Sequence, residues 1–257
     1  FCRLSRWYWN QIDFGPLVTQ VFRSGEDFVV LKGKSVRLAE DNSLSACFDP
    51  MALSYRCIWQ DGFVQFHPFR WGTSRNASPA GDNIWFTDPA EKGWSGHSDD
   101  FQYFGNYRDA YHVTFHYRIG SADIFDQPGV LDSPAGPVFR RTLNFASGAQ
   151  DLLLRAATVP AESANTWLAT IQSKAGEIDQ LQVDEMGAIW IPAPEENGPR
   201  MVFSLWHGDA SNRQEALTAI EGTPFPEPMR ARDQARPLWP ERLHVPGTIG
   251  SAIGEAA

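Results

Sequence analysis

The stretch from Phe28 to Phe66, FVVLKGKSVRLAEDNSLSACFDPMALSYRCIWQDGFVQF, constrains the fold more than any other part of the chain. It holds three extended runs, Phe28 to Leu38, Leu44 to Phe48 and Tyr55 to Phe66, separated by the turn formers AEDNS and DPMALS. Short apolar runs bounded by Asp, Asn, Ser and Pro read as antiparallel strands in a meander. In the middle run Leu44, Ala46 and Phe48 alternate with Ser45, Cys47 and Asp49. That is the period of a half-buried strand and not of a helix.

Strand character recurs down the chain. YHVTFHYRI, Tyr111 to Ile119, puts Tyr111, Val113, Phe115, Tyr117 and Ile119 on one face and His112, Thr114, His116 and Arg118 on the other. A Gly120-Ser121 turn and a strand near Ala122 to Phe125 complete a hairpin. VFRRTLNF, LLLRAATV, TWLATIQ, the pair IDQLQV and AIWIPA, and MVFSLWH follow, with turn residues between them. One short helix is expected where Ser211 and Gln214 form an S-x-x-Q capping box and Gly222 stops the run. The sequence thus predicts an all-β fold, an antiparallel β-sandwich of jelly-roll or supersandwich type, over residues 12–221. Residues 1–11 form a lead-in, and 222–257 a Pro-rich C-terminal strap.

Composition limits the function classes. With 10 Trp and 17 Phe among 257 residues and 21% charged residues, most of the chain has the material for a packed core. A net charge of -9, with no basic cluster, argues against nucleic acid as a partner. No uncharged apolar run reaches the length of a transmembrane helix. The first residue is Phe1, which suggests a processed chain or a fragment of a longer one. There is no CxxC, CxxCH, P-loop, strand-borne GxGxxG or GxSxG, so no cofactor is expected in this segment. Cys47 and Cys57 fall on consecutive predicted strands. They are read either as a cross-strand disulfide or as two buried free thiols, and Cys2 has no evident partner.

The candidate site lies in the long segment His67 to Asp100, rich in Gly, Pro, Ser and Asp yet studded with tryptophan. A loop region of this length is more often functional than idle. Trp71, Trp85 and Trp94 with Asp82, Asp99 and Asp100 can form a platform for sugar rings, the indoles stacking and the carboxylates fixing hydroxyls. The same tryptophans could instead seal loops over a sheet. Asp82, Asp88, Glu91, Asp99 and Asp100 also allow a glycosidase pair, provided two of them flank an open cleft at about 5 to 10 Å. Asn76-Ala77-Ser78 is a formal glycosylation sequon. His112 and His116 have metal-ligand spacing for a helix, but on a strand they stand about 13 Å apart, too far to share an ion.

An ordered series of residues carries a family resemblance. Lys32-Gly33, Val36-Arg37-Leu38, Cys47-Phe48-Asp49, Leu53, Trp59 and Gly62-Phe63 resemble the core of an N-terminal domain of large secreted bacterial proteins labelled membrane-bound dehydrogenases. The likeness continues in Gly15-Pro16, Tyr103-Phe104-Gly105-Asn106-Tyr107, Val113 to Gly120 and Phe139-Arg140-Arg141-Thr142-Leu143. More loosely, it extends to Trp239 to Gly250. In such proteins a sugar-dehydrogenase-like propeller and a c-type cytochrome module follow. The resemblance implies a secreted or periplasmic, non-catalytic accessory domain that binds carbohydrate or docks a dehydrogenase or cytochrome domain. Export would suit a Cys47 to Cys57 disulfide. The alternative expectation is a carbohydrate-active enzyme, a glycoside hydrolase or lyase using carboxylates of the 71–100 region.

Overall fold

The structure is a computed structural model, and it describes residues 13–66, 76–88, 92–95, 100–109, 112–145, 152–160, 165–174, 177–193 and 200–226. The chain divides into two units, Phe1–Pro226 and Glu227–Ala257, and the second lies outside the described residues together with most of the expected strap. The described residues hold two seven-stranded sheets and one three-stranded sheet, arranged as a sandwich.

The predicted meander builds the first sheet. β1 (Leu17–Ser24) and β2 (Phe28–Arg37) form a hairpin, β3 (Leu44–Asp49) and β4 (Ser54–Gln60) extend it, and the short β5 (Val64–Phe66), β6 (Ala77–Pro79) and β7 (Ile84–Thr87) complete it. The spatial order is β5-β6-β1-β2-β3-β4-β7. The expected single run Tyr55 to Phe66 is broken at Asp61 and Gly62, which adopt positive φ of 62° and 155°. A Cβ on Gly62 would lie 2.9 Å from that of Ala80, so a side chain there would push the returning chain away. The segment expected as loop contributes β6, β7 and β8 (Trp94–Ser95), because Trp85 and Phe86 bring apolar surface that β4 can cover.

β8 pairs with β13 (Leu153–Thr158), which pairs with β16 (Ala188–Pro192), to make the small sheet. The second large sheet contains β9 (Phe101–Asp109), β10 (His112–Ile119), β11 (Ala122–Leu131), β12 (Val138–Phe145), β14 (Trp167–Lys174), β15 (Glu177–Gln180) and β17 (Arg200–His207). Its order is β15-β14-β17-β12-β11-β10-β9, with every neighbouring pair antiparallel. β10 and β11 meet at the expected two-residue turn, where Gly120 supplies φ +55°.

Residues from all three sheets fill one core. Phe48 of β3 stacks on Phe115 of β10 with centroids 4.1 Å apart, and Tyr55 of β4 meets Phe139 of β12 edge-on at 5.3 Å. Fully burying each such ring contributes about 1.5–3 kcal/mol.

The half-buried expectation for the middle strand is corrected, because all six residues of β3 are buried. The first sheet curls, enclosing a second core of Phe22, Val30, Cys47, Cys57, Trp59 and Phe66 on its other face. Phe22 of β1 and Trp59 of β4 stack at 5.2 Å, although three strand spacings in a flat sheet amount to about 14 Å. The register shifts between Gln20 and Phe22, where Leu31 and Lys32 of β2 together oppose Val21 of β1, a bulge in β2 of the kind that bends a strand.

The helix α1 (Arg213–Glu221) buries Ala216, Leu217 and Ile220, which cluster with Val138, Leu168 and Trp206 of the second sheet. Gly222 ends it as expected, but the capping box does not form. A 3-10 turn, Ala210–Asn212, precedes the helix, and Asp209 takes the capping role by accepting from Ser211 N. Ser211 Oγ donates to the same carboxylate at 2.7 Å and so is occupied. Among the described residues no helix is long and apolar enough to cross a membrane.

Candidate functional site

Among the described residues, the predicted site residues do not gather on one surface. Trp71 and Asp99 lie outside the described residues, as does Glu91. Trp94 is 8% exposed, donates its Nε1–H to Leu53 O at 3.2 Å, and meets Tyr117 and Phe145 edge-on in the core. Trp85 is 4% exposed and contacts Trp167 and His207. Both indoles therefore seal the sandwich, and neither offers an open face for stacking.

The carboxylates divide in the same way. Asp82 and Asp100 are exposed, whereas Asp88 is buried with Oδ2 3.5 Å from Arg155 Nε. The Asp88 carbonyl accepts from Arg56 Nε, and Arg56 Nη1 lies 2.8 Å from Asp49 Oδ2. Asp88, just after β7, thus binds Arg56 of β4 through its carbonyl and Arg155 of β13 through its carboxylate. Cys47 and Cys57 stand directly opposite each other in the β3–β4 register, as free thiols buried in the second core. Burial pushes both thiols above the ordinary range, so neither is poised as a nucleophile.

A different surface collects aromatic and polar groups, the outer face of β9, β10 and β11. His116, whose alternation on β10 was legible in the sequence, stands at its centre. Its ring stacks on Phe125 of β11 with centroids 4.3 Å apart and planes 10° apart, and Phe104 of β9 lies 4.7 Å away on centroids. Tyr107 adds a fourth ring, 6.2 Å from His116 and 6.5 Å from Phe125.

Local backbone chemistry puts Phe104 there. The β9–β10 register shifts between His116 and Tyr117, so that Gly105 opposes His116 while Tyr103 opposes Tyr117. Phe104 is the extra residue of this bulge, and a bulge re-aims a side chain. Gly105, at φ +144°, has no Cβ and leaves the slot opposite His116 to the Phe104 ring. Tyr103 keeps to the other face, against Phe48 and Phe115.

Polar groups hold and frame the rings. His116 Nε2 lies 2.9 Å from Asp123 Oδ1, and Nδ1 lies 3.4 Å from Tyr107 Oη. With Nε2–H donating to the carboxylate, Nδ1 is left to accept from the tyrosine hydroxyl, which fixes the imidazole plane. Arg118 reaches the same carboxylate at 3.6 Å and lies over the Phe104 ring at 5.0 Å. Phe104 is 41% exposed, and the side chains of Arg118, Asp123 and His116 are 47%, 24% and 16% exposed. The patch offers a cluster of aromatic rings with Phe104 exposed, bordered by a cation and an anion. Such a surface can stack a ring that has one C–H face and hydroxyls at its edge. Sequence reasoning missed Phe104, Tyr107 and Phe125, and the signal that could have found them was the glycine inside the aromatic run Tyr103 to Tyr107.

No curated protein and no solved structure matches the chain. Phe104, Tyr107, His116, Arg118, Asp123 and Phe125 all fall within residues 46–126, the segment that matches a family described as a domain of unknown function, DUF6797.

Proposed function

We propose that the protein is a secreted or periplasmic accessory module, non-catalytic by itself, that binds carbohydrate on the outer face of β9, β10 and β11. The observation that carries this reading is the exposed Phe104 ring set beside His116 and Phe125 by the β9 bulge, with Arg118 and Asp123 at its edge. A pyranose lays its axial C–H bonds on the rings, while the guanidinium and carboxylate bind its hydroxyls. The rings lie on the outer face of a sheet, which favours an internal stretch of polysaccharide over a free monosaccharide. The likeness to domains that precede a sugar-dehydrogenase-like propeller and a cytochrome module supports the location. It also supports a role in holding a polymer near a redox partner.

The test is isothermal titration calorimetry of the chain against neutral and acidic polysaccharides, repeated on Phe104→Ala and Arg118→Ala. Saturable heat is expected with the native chain. Phe104→Ala should weaken binding at least tenfold, about 1.4 kcal/mol. Absence of saturable heat across the panel, or an undiminished response in Phe104→Ala, would sink the reading.

A further inference from the structure

A second feature lies at the other end of the second sheet. Trp167, at the start of β14, lines a cleft of about 450 Å³ together with Asn165, Leu181, Gln182, Val183 and Arg213. This is within the range of about 300–1,000 Å³ typical of small-molecule sites. Trp167 is 3% exposed, and its Nε1–H is buried with no acceptor among the described residues. An unmet buried donor is costly, so an acceptor arriving in the cleft has something to gain.

The indole is held firmly. It stacks on His207 with centroids 4.2 Å apart, and Trp85 meets it nearly perpendicular at 6.2 Å. Arg213, the first residue of α1, donates from Nε to the Trp167 carbonyl at 3.3 Å and from Nη2 to Gln180 Oε1 at 3.0 Å. These bonds fix the guanidinium at the rim. It is the one charged side chain among the described residues that line the cleft. The protein is acidic overall, but this cleft is cationic. Leu181 and Val183 supply apolar wall, and the carboxamides of Asn165 and Gln182 can donate or accept.

We propose that this cleft binds a small sugar acid, with the carboxylate on Arg213 and a ring or hydroxyl oxygen accepting from Trp167 Nε1. The cleft shares no residue with the β9–β11 face, and the inference does not depend on polysaccharide binding there. It gives the module a second specificity, for the acidic monomer or chain end.

The probe is D-glucuronate, titrated calorimetrically into the native chain, with D-glucose and acetate as comparisons. Saturable binding of glucuronate, at least tenfold tighter than either comparison, is expected. Trp167→Phe keeps a ring on His207 and removes the donor, and it should weaken glucuronate at least tenfold. Arg213→Gln should abolish the preference over glucose, and Arg213→Lys should restore part of it. Phe104→Ala should leave glucuronate binding unchanged, which separates this site from the platform. If Trp167→Phe fails to show a native near-ultraviolet spectrum, the Arg213 pair carries the test. Absence of saturable glucuronate binding, equal binding of glucose, or full affinity in Arg213→Gln would overturn the proposal.

Discussion

Asp126 and Arg141 are both fully buried where the two large sheets face each other. Arg141 donates to Asp126 Oδ2 from Nε at 2.9 Å and from Nη2 at 2.5 Å, Tyr117 Oη donates to the same oxygen at 3.0 Å, and Tyr55 Oη reaches Oδ1 at 3.4 Å. Tyr55 comes from the first sheet and the other three from the second, so this cluster fixes how the layers sit. Taking the guanidinium away leaves a buried carboxylate with only two phenols. Arg141→Met should therefore cost about 3–5 kcal/mol in urea unfolding. The double variant Arg141→Met with Asp126→Asn should recover part of that loss, since it removes both charges. A single variant as stable as the native chain would show that the pair contributes nothing. Neither residue stood out in the sequence. Arg141 lies in the strand run VFRRTLNF, and an apolar strand pattern does not mark an arginine as core.

At the scale of elements, curvature does the positioning. Gly33 of β2 occupies a point where a Cβ would sit 2.8 Å from Phe22 Cβ and 3.0 Å from Cys47 Sγ. That close approach lets the first sheet curl over its own second core. Gly33→Ala should destabilise by roughly 1–3 kcal/mol, read from the urea midpoint, because the clash meets packed side chains and not solvent. A neutral result would mean that the curl is held by the β2 bulge alone. The two bulges, at Leu31–Lys32 and at Phe104, were not readable from alternation. An alternating pattern specifies which residues share a face, and a bulge is a local departure from it that only pairing partners reveal. The helix illustrates the same limit. Its C-terminal stop was legible at Gly222, whereas its start moved because Asp209 and a 3-10 turn competed for the free amides.

For the whole molecule, the buried phenols set the response to alkali. Burial first, and then the Asp126 carboxylate, push the Tyr55 and Tyr117 hydroxyls well above the ordinary phenol value of 10.0. The unfolded chain therefore loses these protons before the native one does. The stability they contribute is fully present below that value and is lost as pH rises through it towards the folded values. The urea midpoint should stay level up to about pH 9 and fall above about pH 10. Phenolate absorbance of the native protein should show at least two of the six tyrosines silent until unfolding. Ordinary titration of all six would refute the cluster.

The sequence by itself determined the antiparallel β2–β3–β4 meander, the β10–β11 hairpin, the order of later strands and the outward row that holds His116. Alternation, turn residues and chain length are local properties, and they are written one residue after another. The tertiary structure alone decided which tryptophans became core, which arginine was buried, and where an aromatic surface and a cationic cleft assembled. Those outcomes depend on the sheets meeting and curling, contacts between residues far apart in the chain that no local period encodes.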